Sequence, residues 1–147
     1  MIPEFVECWD KRKHLLEQNF REEHPSSYEN IFKKLVEIVL TPDFYNEKYT
    51  FDEDYFLELN SEKITVINDG DYQGTLLFIV PEKTYQPSNY WSAMVNYGSC
   101  SHCDTFQSIQ SDTVYDSETG EESKPTEEQI SQYMTLALHL LQSMKQL

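Results

Sequence analysis

Apolar residues recur at helical spacing in the first forty positions of the chain. From residue 4 to residue 23 they fall close to one stripe, with charged residues elsewhere, and this pattern predicts an amphipathic helix. A second helix is predicted from Ser26 to Leu40, because Ser26 and Glu29 fit a capping box and Thr41-Pro42 would end the helix. Two helices joined by a short break predict a helical hairpin. The stripe of the first helix contains Phe5, Cys8, Trp9, Leu16 and Phe20.

The middle of the chain contains runs with the length and composition of β-strands. Strands are predicted at residues 63–67, 72–80 and 90–97, which are rich in apolar and aromatic residues and bounded by turn residues. The sequence Asn68-Asp69-Gly70-Asp71 indicates a tight turn, since Asp-Gly tolerates the positive φ that such hairpins require. We therefore expect a three-stranded antiparallel meander, with residues 55–59 as a short edge strand.

The last third of the chain is predicted to be a loop followed by a helix. Residues 110–125 contain few apolar groups and are expected to form a mobile acidic loop. Thr126 and Gln129 fit a second capping box, and the following residues have a strongly amphipathic pattern. The whole chain, residues 1–147, is thus predicted to be a single α+β domain. Its parts would be an N-terminal helical hairpin, a three- to four-stranded antiparallel sheet and a C-terminal amphipathic helix.

The charge balance limits the classes of partner. The chain has 26 Asp and Glu against 11 Lys and Arg, for a net charge of −15. So negative a protein is not expected to bind nucleic acid or an anionic membrane directly. The first residues lack the basic and apolar regions of a signal peptide, and no apolar run has the length of a membrane span. We therefore expect a protein of the cytoplasm.

Carboxylates are concentrated in two stretches, residues 43–71 and residues 104–128. If they fold onto one side, they would form an extended negative surface able to contact a basic partner. Such a surface could also imitate nucleic acid, because duplex DNA carries one phosphate per roughly 3.4 Å along each strand. The alternative is a solvated acidic surface whose charge only prevents aggregation. The predicted partner-binding residues are Glu47, Asp52, Glu53, Asp54, Glu58, Asp69 and Asp71.

The reactive side chains are concentrated just after the third predicted strand. Cys100 and Cys103 lie three positions apart, behind Gly98, which permits a tight turn. Ser101 is predicted to cap a short helix, with Asp104 at its third position. Cys103 would then lie in the first helical turn, where unpaired N–H groups and the helix dipole favour a thiolate.

Several interpretations of this turn remain open. A redox dithiol fits the CxxC spacing, but too little chain follows Cys103 for a thioredoxin-like fold. Cys100 and Cys103 could supply half of a zinc site, although no second CxxC or HxxxH pair completes it. The two cysteines could also be small residues packed at a crowded turn. A metal or small-ligand site here would comprise Tyr97, Gly98, Cys100, His102, Cys103 and Asp104, with Trp91 alongside.

Other activities have weaker support in the sequence. A sponge for a small signalling nucleotide would use aromatic residues for base stacking, but it would need positive groups for the phosphate. No HExxH, GxSxG or Gly-rich phosphate-binding motif is present, so we do not expect an enzyme or a resident cofactor. The stacking residues would be Tyr72, Tyr90 and Trp91.

Two runs resemble a signature of a family of small, uncharacterised phage and bacterial proteins. They are Asp71-Tyr72-Gln73-Gly74 and, after a strand, Tyr97 to Gln107, which includes Gly98-Ser99-Cys100-Ser101-His102-Cys103-Asp104. The usual form of the signature is GSCSGCD followed by a hydrophobic residue and Gln, and here His102 replaces the Gly. The resemblance implies a phage or bacterial setting, and hence the cytoplasm of the host if the protein is phage-encoded.

The leading hypothesis combines charge and setting. It is a small acidic, phage-encoded protein that binds a host or defence protein with a basic surface. Binding would inhibit or modulate that partner, for example by nucleic-acid mimicry. The sequence does not predict an oligomeric state.

Overall fold

The fold is α+β, with helices on one face of an antiparallel sheet. The computed structural model describes residues 2–40 and 58–147. Within these ranges, none of the helices combines the length and the apolar character needed to cross a membrane. The helices are α1 (Pro3–Glu22), α2 (Tyr28–Lys34), α3 (Thr105–Gln110) and α4 (Glu127–Ser143), and the strands are β1 (Thr65–Asn68), β2 (Gly74–Pro81), β3 (Tyr90–Tyr97) and β4 (Lys145–Gln146).

The N-terminal helical hairpin forms close to the predicted positions. The cap of α2 is Ser27, whose side chain accepts a hydrogen bond of 3.0 Å from the backbone N–H of Asn30. The predicted capping box at Ser26 is therefore displaced by one residue. After α2 the chain continues as a π-helical turn, Leu35–Val39, so the second helix reaches Leu40 in two pieces.

The strands form a meander in the order β1-β2-β3-β4, and every neighbouring pair is antiparallel. This confirms the predicted antiparallel sheet. The fourth strand, β4, directly follows α4, and Gln146 pairs with Trp91 of β3. The C-terminal helix thus returns the chain to the edge of the sheet.

The loop between β1 and β2 differs from the predicted tight turn. It spans the five residues between Asn68 and Gly74, and Gly120 is the only described residue with the positive φ that the predicted turn needs. Side chains close the loop instead. Asn68 Oδ1 accepts from the N–H of Gly70 at 3.0 Å, and Asp69 Oδ1 accepts from the N–H of Thr75 at 2.6 Å. The first of these is an Asx turn, the hydrogen bond that Asn and Asp form with the backbone two residues on, and the second spans the loop from Asp69 to Thr75.

The core lies between the helices and one face of the sheet. Phe32 stacks on Phe78 with ring centroids 5.1 Å apart and an interplanar angle of 18°. Phe20 contacts Tyr133 of α4 with ring centroids 5.5 Å apart. Phe20, Phe32, Phe78 and Tyr133 are fully buried, so aromatic side chains join α2 to the sheet and α1 to α4.

The acidic loop before α4 has a defined path. Tyr115 and Glu122 form an antiparallel bridge, and the N–H of Asp116 donates to the carbonyl of Glu121 at 2.7 Å. His24 Nε2 lies 3.0 Å from the carbonyl oxygen of Ser123, and so the loop contacts the segment that follows α1. The mobility of this loop stays a prediction.

Candidate functional site

The cysteine turn follows β3 and precedes α3. The N–H of Cys103 donates to the carbonyl of Cys100 at 3.1 Å, which closes a turn over Cys100–Cys103. The cap of α3 is Asp104, whose Oδ1 atom accepts from the N–H of Gln107 at 2.9 Å. The prediction that Ser101 caps this helix is therefore wrong. The helix begins three residues later than the capping pattern indicated, and Cys103 lies before it.

Asp104 joins three parts of the chain. Its Oδ2 atom accepts from the N–H of Gly98 at 2.8 Å, while its Oδ1 atom accepts from the hydroxyl of Tyr28 at 3.0 Å. Tyr28 in turn accepts from the N–H of Phe106 at 3.0 Å. Asp104 is 5% exposed, and a buried carboxylate needs such donors because it has lost its hydration. Burial raises the pKa of Tyr28 to about 12, and the neighbouring Asp104 contributes to the rise.

The Cys103 backbone packs so closely against Gly98 that it leaves no room for a side chain there. A Cβ atom at this position would lie 2.5 Å from the carbonyl oxygen of Cys103 and 2.9 Å from its Sγ atom. The side chain of Gln107 donates to the carbonyl of Gly98 at 2.9 Å. Gly98, Asp104 and Gln107 therefore hold one another in place.

The two thiols are exposed and close together. Cys100 and Cys103 are both free and exposed, whereas Cys8 is free and buried. The Sγ atom of Cys103 lies 2.9 Å from the backbone nitrogen of Cys100 and 3.3 Å from its carbonyl oxygen. Hydrogen bonds from the Cys100 side chain and backbone lower the pKa of the Cys103 thiol. The sequence predicts that the first turn of α3 favours the Cys103 thiolate. In the structure, hydrogen bonds from Cys100 favour it instead.

An open cleft of about 700 Å³ borders Cys103 and is lined by residues of the turn, α3 and α4. Its polar lining includes His102 on the turn and Gln132 and His139 on α4. The Oε1 atom of Gln132 is buried and has no hydrogen-bond partner among the described residues. A buried acceptor without a donor costs about 1–3 kcal/mol, so turning the Gln132 side chain toward the cleft to meet an N–H group of a ligand would be favourable.

A second cleft, of about 420 Å³, also has Asp104 in its lining. Its lining combines Tyr28 and Phe106 with Phe78 and Tyr97 of the sheet. The hydroxyl of Tyr97 lies 2.5 Å from Asn68 Oδ1 and 2.7 Å from the carbonyl oxygen of Gly70, so it donates to the β1–β2 loop. The Tyr97 hydroxyl therefore holds this loop in position.

The described residues do not complete a metal site. Within residues 2–40 and 58–147, no group of three or more His, Cys, Asp or Glu is placed to hold a metal ion. Cys100 and Cys103 alone supply two of the four ligands that a structural zinc site requires. Zinc binding at the turn stays a prediction.

The three aromatic residues considered for base stacking lie apart. Tyr72 is 81% exposed in the β1–β2 loop, beside the end of β3 opposite to Tyr90. Tyr90 and Trp91 are neighbours in β3 and so point to opposite faces of the sheet. Trp91 is buried, with its ring centroid 6.3 Å from that of Phe5. The structure does not bring these side chains together.

The predicted partner-binding carboxylates are divided by the fold. Asp69 and Asp71 lie in the β1–β2 loop, while Glu58 lies near the far end of β2, where its carboxylate is 3.3 Å from Lys83 Nζ. Asp71 is exposed. Glu47, Asp52, Glu53 and Asp54 lie outside the described residues.

The second carboxylate stretch is anchored to α1 by ion pairs. Glu127 accepts from the guanidinium of Arg21, and Lys124 Nζ lies 2.9 Å from Glu22 Oε2. The exposed acidic loop therefore lies beside the end of α1, away from the strands. The fold thus places carboxylates on more than one side of the molecule.

Sequence reasoning missed an apolar surface on the face of the sheet that none of the described helices covers. Pairing places Ile67, Leu77 and Met94 in one row, and Ile79 and Tyr90 lie on the same face. Ile67 is 48% exposed, Met94 55% and Tyr90 38%, while Leu77 and Ile79 are half-buried. We call these five residues the open sheet face. The available signal was Leu76 to Val80, a run that is apolar at consecutive positions and so predicts apolar side chains on both faces.

The chain matches no protein-family model, and no curated protein or solved structure is significantly similar to it.

Proposed function

We propose that this protein acts by binding another protein through the open sheet face, and that it inhibits or modulates that partner. The partner is expected to present an apolar contact surface with Lys or Arg at its margin. The observation that carries the proposal is that Ile67, Tyr90 and Met94 are exposed together on one face of the sheet.

The energetics favour covering this face. Removing apolar area from water contributes about 25 cal/mol per Å², and contiguous exposed apolar patches often mark interaction sites on soluble proteins. Tyrosine and methionine, which are enriched at interface centres, are among the five residues. A partner could also pair with β1, since this short strand forms one edge of the sheet within the described part of the chain.

Charge favours a basic partner. The net charge is −15, and three of the predicted contact carboxylates lie at the two ends of the strands that form the open sheet face. Asp69 and Asp71 lie at one end, and Glu58 lies at the other. Opposite charges at the margin accelerate association and exclude like-charged competitors. The same net charge disfavours self-association, so a second copy is not the expected occupant.

The sequence of the cysteine turn suggests a phage or bacterial origin, and this origin indicates which class of protein the partner belongs to. The resemblance of the GSCSxCD motif to phage and bacterial proteins favours a host or defence protein as the target. An inhibitor of this kind would act by occupying a surface that the target needs. Where that surface normally binds nucleic acid, the carboxylates would replace phosphates.

The test compares binding by three forms of the full chain. Wild type, Ile67→Ser/Met94→Ser and the control Leu15→Ser would be immobilised and exposed to bacterial lysate, and each retained protein would be purified. Leu15 is an apolar residue on α1 with 41% exposure, comparable to that of Ile67. We expect the open-face variant to bind the purified partner at least about tenfold more weakly, which corresponds to about 1.4 kcal/mol. The control should bind like wild type.

A second experiment tests the role of charge by varying the salt concentration and reversing two of the carboxylates. Asp69→Lys/Asp71→Lys should slow association at low salt, and the difference from wild type should shrink as salt screens exposed charges beyond about 8 Å. Equal binding by wild type and the open-face variant would contradict the proposal, as would the capture of no partner. Sedimentation of the free protein adds a direct check, because a dimer that dissociates in the open-face variant would identify a second copy as the occupant.

A further inference from the structure

The geometry of the cysteine turn is compatible with a disulfide. The hydrogen bond from Cys103 N–H to the Cys100 carbonyl closes a four-residue turn, and such turns bring their end Cα atoms within about 7 Å. A disulfide bridges Cα atoms that are about 4.4–6.8 Å apart. The Sγ atom of Cys103 already lies against the Cys100 backbone. Closing the bridge therefore requires rotation of side chains rather than refolding of the turn.

The two thiols are not equivalent. The Cys103 sulfur accepts hydrogen bonds from Cys100, and these favour the thiolate, which is the nucleophilic form. No corresponding hydrogen bond to the Cys100 sulfur is among the interactions found in the described residues. Cys103 is thus the better attacking group, and Cys100 lies where it can displace a group from Cys103.

The cleft beside Cys103 gives an incoming disulfide a place to bind. It is open to solvent, has a volume of about 700 Å³ and is lined by Cys103, His102, His139 and Gln132. Gln132 Oε1 is buried and has no partner among the described residues, and turning this side chain toward the cleft lets it accept an amide N–H. A small peptide disulfide supplies both the reactive sulfur and such an N–H group.

We propose that Cys100 and Cys103 form a reversible disulfide by exchange with a peptide disulfide of the oxidised glutathione class, with Cys103 attacking and Cys100 resolving. The Cys103 thiolate attacks one sulfur of the reagent, forms a mixed disulfide and releases one peptide thiolate. Cys100 then loses its proton and attacks Cys103 Sγ, forming the Cys100–Cys103 disulfide. The second peptide leaves as a thiolate and takes up a proton. The protein is oxidised by two electrons, and one peptide disulfide is reduced to two thiols. This activity is independent of binding at the open sheet face.

The experiment follows the intact mass of the full-length reduced protein after mixing with oxidised glutathione, acid quenching and alkylation. Wild type should lose two alkylation sites without retaining glutathione. Cys100→Ser should accumulate one glutathione at Cys103, because the resolving thiol is absent while the Ser hydroxyl keeps a hydrogen-bond donor. Cys103→Ser should react at Cys100 at least about threefold more slowly than Cys100→Ser reacts at Cys103, because the hydrogen bonds that favour the thiolate are made to the Cys103 sulfur. Buried Cys8 serves as the internal reference for an unreactive thiol.

The chemistry would be overturned by either of two results. One is equal reaction rates for the two serine variants, and the other is a wild-type protein that stops at the mixed disulfide. Circular dichroism of each variant separates a chemical effect from a loss of fold. Tryptic peptides identify which cysteine carries glutathione.

A separate experiment tests whether the cleft recognises the peptide disulfide. Gln132→Ala should slow the reaction with oxidised glutathione severalfold and leave the reaction with bis(2-hydroxyethyl) disulfide unchanged, because that reagent has no amide N–H. Gln142→Ala, at an exposed position of the same helix, is the matched control. Unchanged rates with both reagents would overturn recognition of a peptide disulfide by the cleft.

Discussion

The hydroxyl of Tyr28 donates a hydrogen bond of 3.0 Å to Oδ1 of Asp104, across 76 positions of sequence. The first residue of α2 is thereby joined to the cap of α3. The same hydroxyl accepts from the N–H of Phe106, so Tyr28 helps to satisfy the backbone at the beginning of α3. Through Asp104, this contact also supports Gly98 and the cysteine turn.

Removing the Asp104 carboxylate should be the most damaging single change at the turn. Asp104→Ala leaves three donors without their acceptor, and hydrogen bonds to charged groups contribute about 1.5–3 kcal/mol each. We expect the free energy of unfolding in urea to fall by about 3 kcal/mol, which is less than the sum of the three bonds because the desolvation cost of the buried carboxylate is removed with them. Tyr28→Phe removes one of these bonds and should lower the free energy of unfolding by about 1.5 kcal/mol. The double variant should lose less than the sum, because both changes remove the same contact. Asp112→Ala, at an exposed position, should stay within about 0.5 kcal/mol of wild type.

Gly98→Ala should destabilise the turn through a clash, since the new Cβ would lie 2.5 Å from the Cys103 carbonyl oxygen. Overpacking of this kind costs about 1–3 kcal/mol. Because Cys103 must move, the rate of its alkylation relative to wild type should also change. Gly120→Ala is the comparison. Gly120 has a φ of 72° with nothing within 4 Å of an added Cβ, so this variant should lose about 1–2 kcal/mol through backbone strain alone. A Gly98→Ala protein with unchanged stability and thiol reactivity would refute the described contact.

Alkaline pH should destabilise the fold through two buried tyrosines. Burial raises the pKa of Tyr28 and of Tyr133 to about 12, above the value of about 10 in an unfolded chain. The protonated forms therefore contribute stability that is fully present below pH of about 10 and is lost as the pH rises toward 12. Urea unfolding followed across this range should show a steeper loss for wild type than for Tyr28→Phe or Tyr133→Phe. Tyr72→Phe, at an exposed loop position, should follow wild type.

In the capping box of α4, replacing Gln129 should lower the free energy of unfolding more than replacing Thr126. Thr126→Ala removes one cap and should cost about 1 kcal/mol. Gln129 accepts from the N–H of Thr126 at 3.0 Å and donates to the carbonyl of Ile109 at 3.1 Å, and it is 1% exposed. Gln129→Ala should therefore cost about 2 kcal/mol in the free energy of unfolding. Ser131→Ala, at an exposed position of the same helix, should cost less than about 0.5 kcal/mol. Equal losses for the two capping variants would refute a link between α4 and α3 through Gln129.

Local sequence patterns predicted the structure correctly where the hydrogen-bond partners lie within a few residues of one another. Thr126 and Gln129 form the predicted capping box because both partners lie in one turn of helix. The same pattern at Ser101 and Asp104 was misleading. Asp104 accepts from Gln107 on one side and from Tyr28 and Gly98 on the other, so it becomes the cap itself. No signal around the cysteines indicates that Tyr28 would be the distant partner.

The sequence by itself determined the helices, the antiparallel meander and the acidic character of this protein, because periodicity, turn residues and charge act locally or add up over the chain. Tertiary structure alone decided that Tyr28 meets Asp104 and that one face of the sheet is covered while Ile67 and Met94 on the other stay exposed. It also placed Glu58 at the far end of β2 from Asp69 and Asp71. The physical reason is that burial and charge proximity depend on which distant segments pack together, and that depends on the free energy of the whole fold rather than on any local pattern.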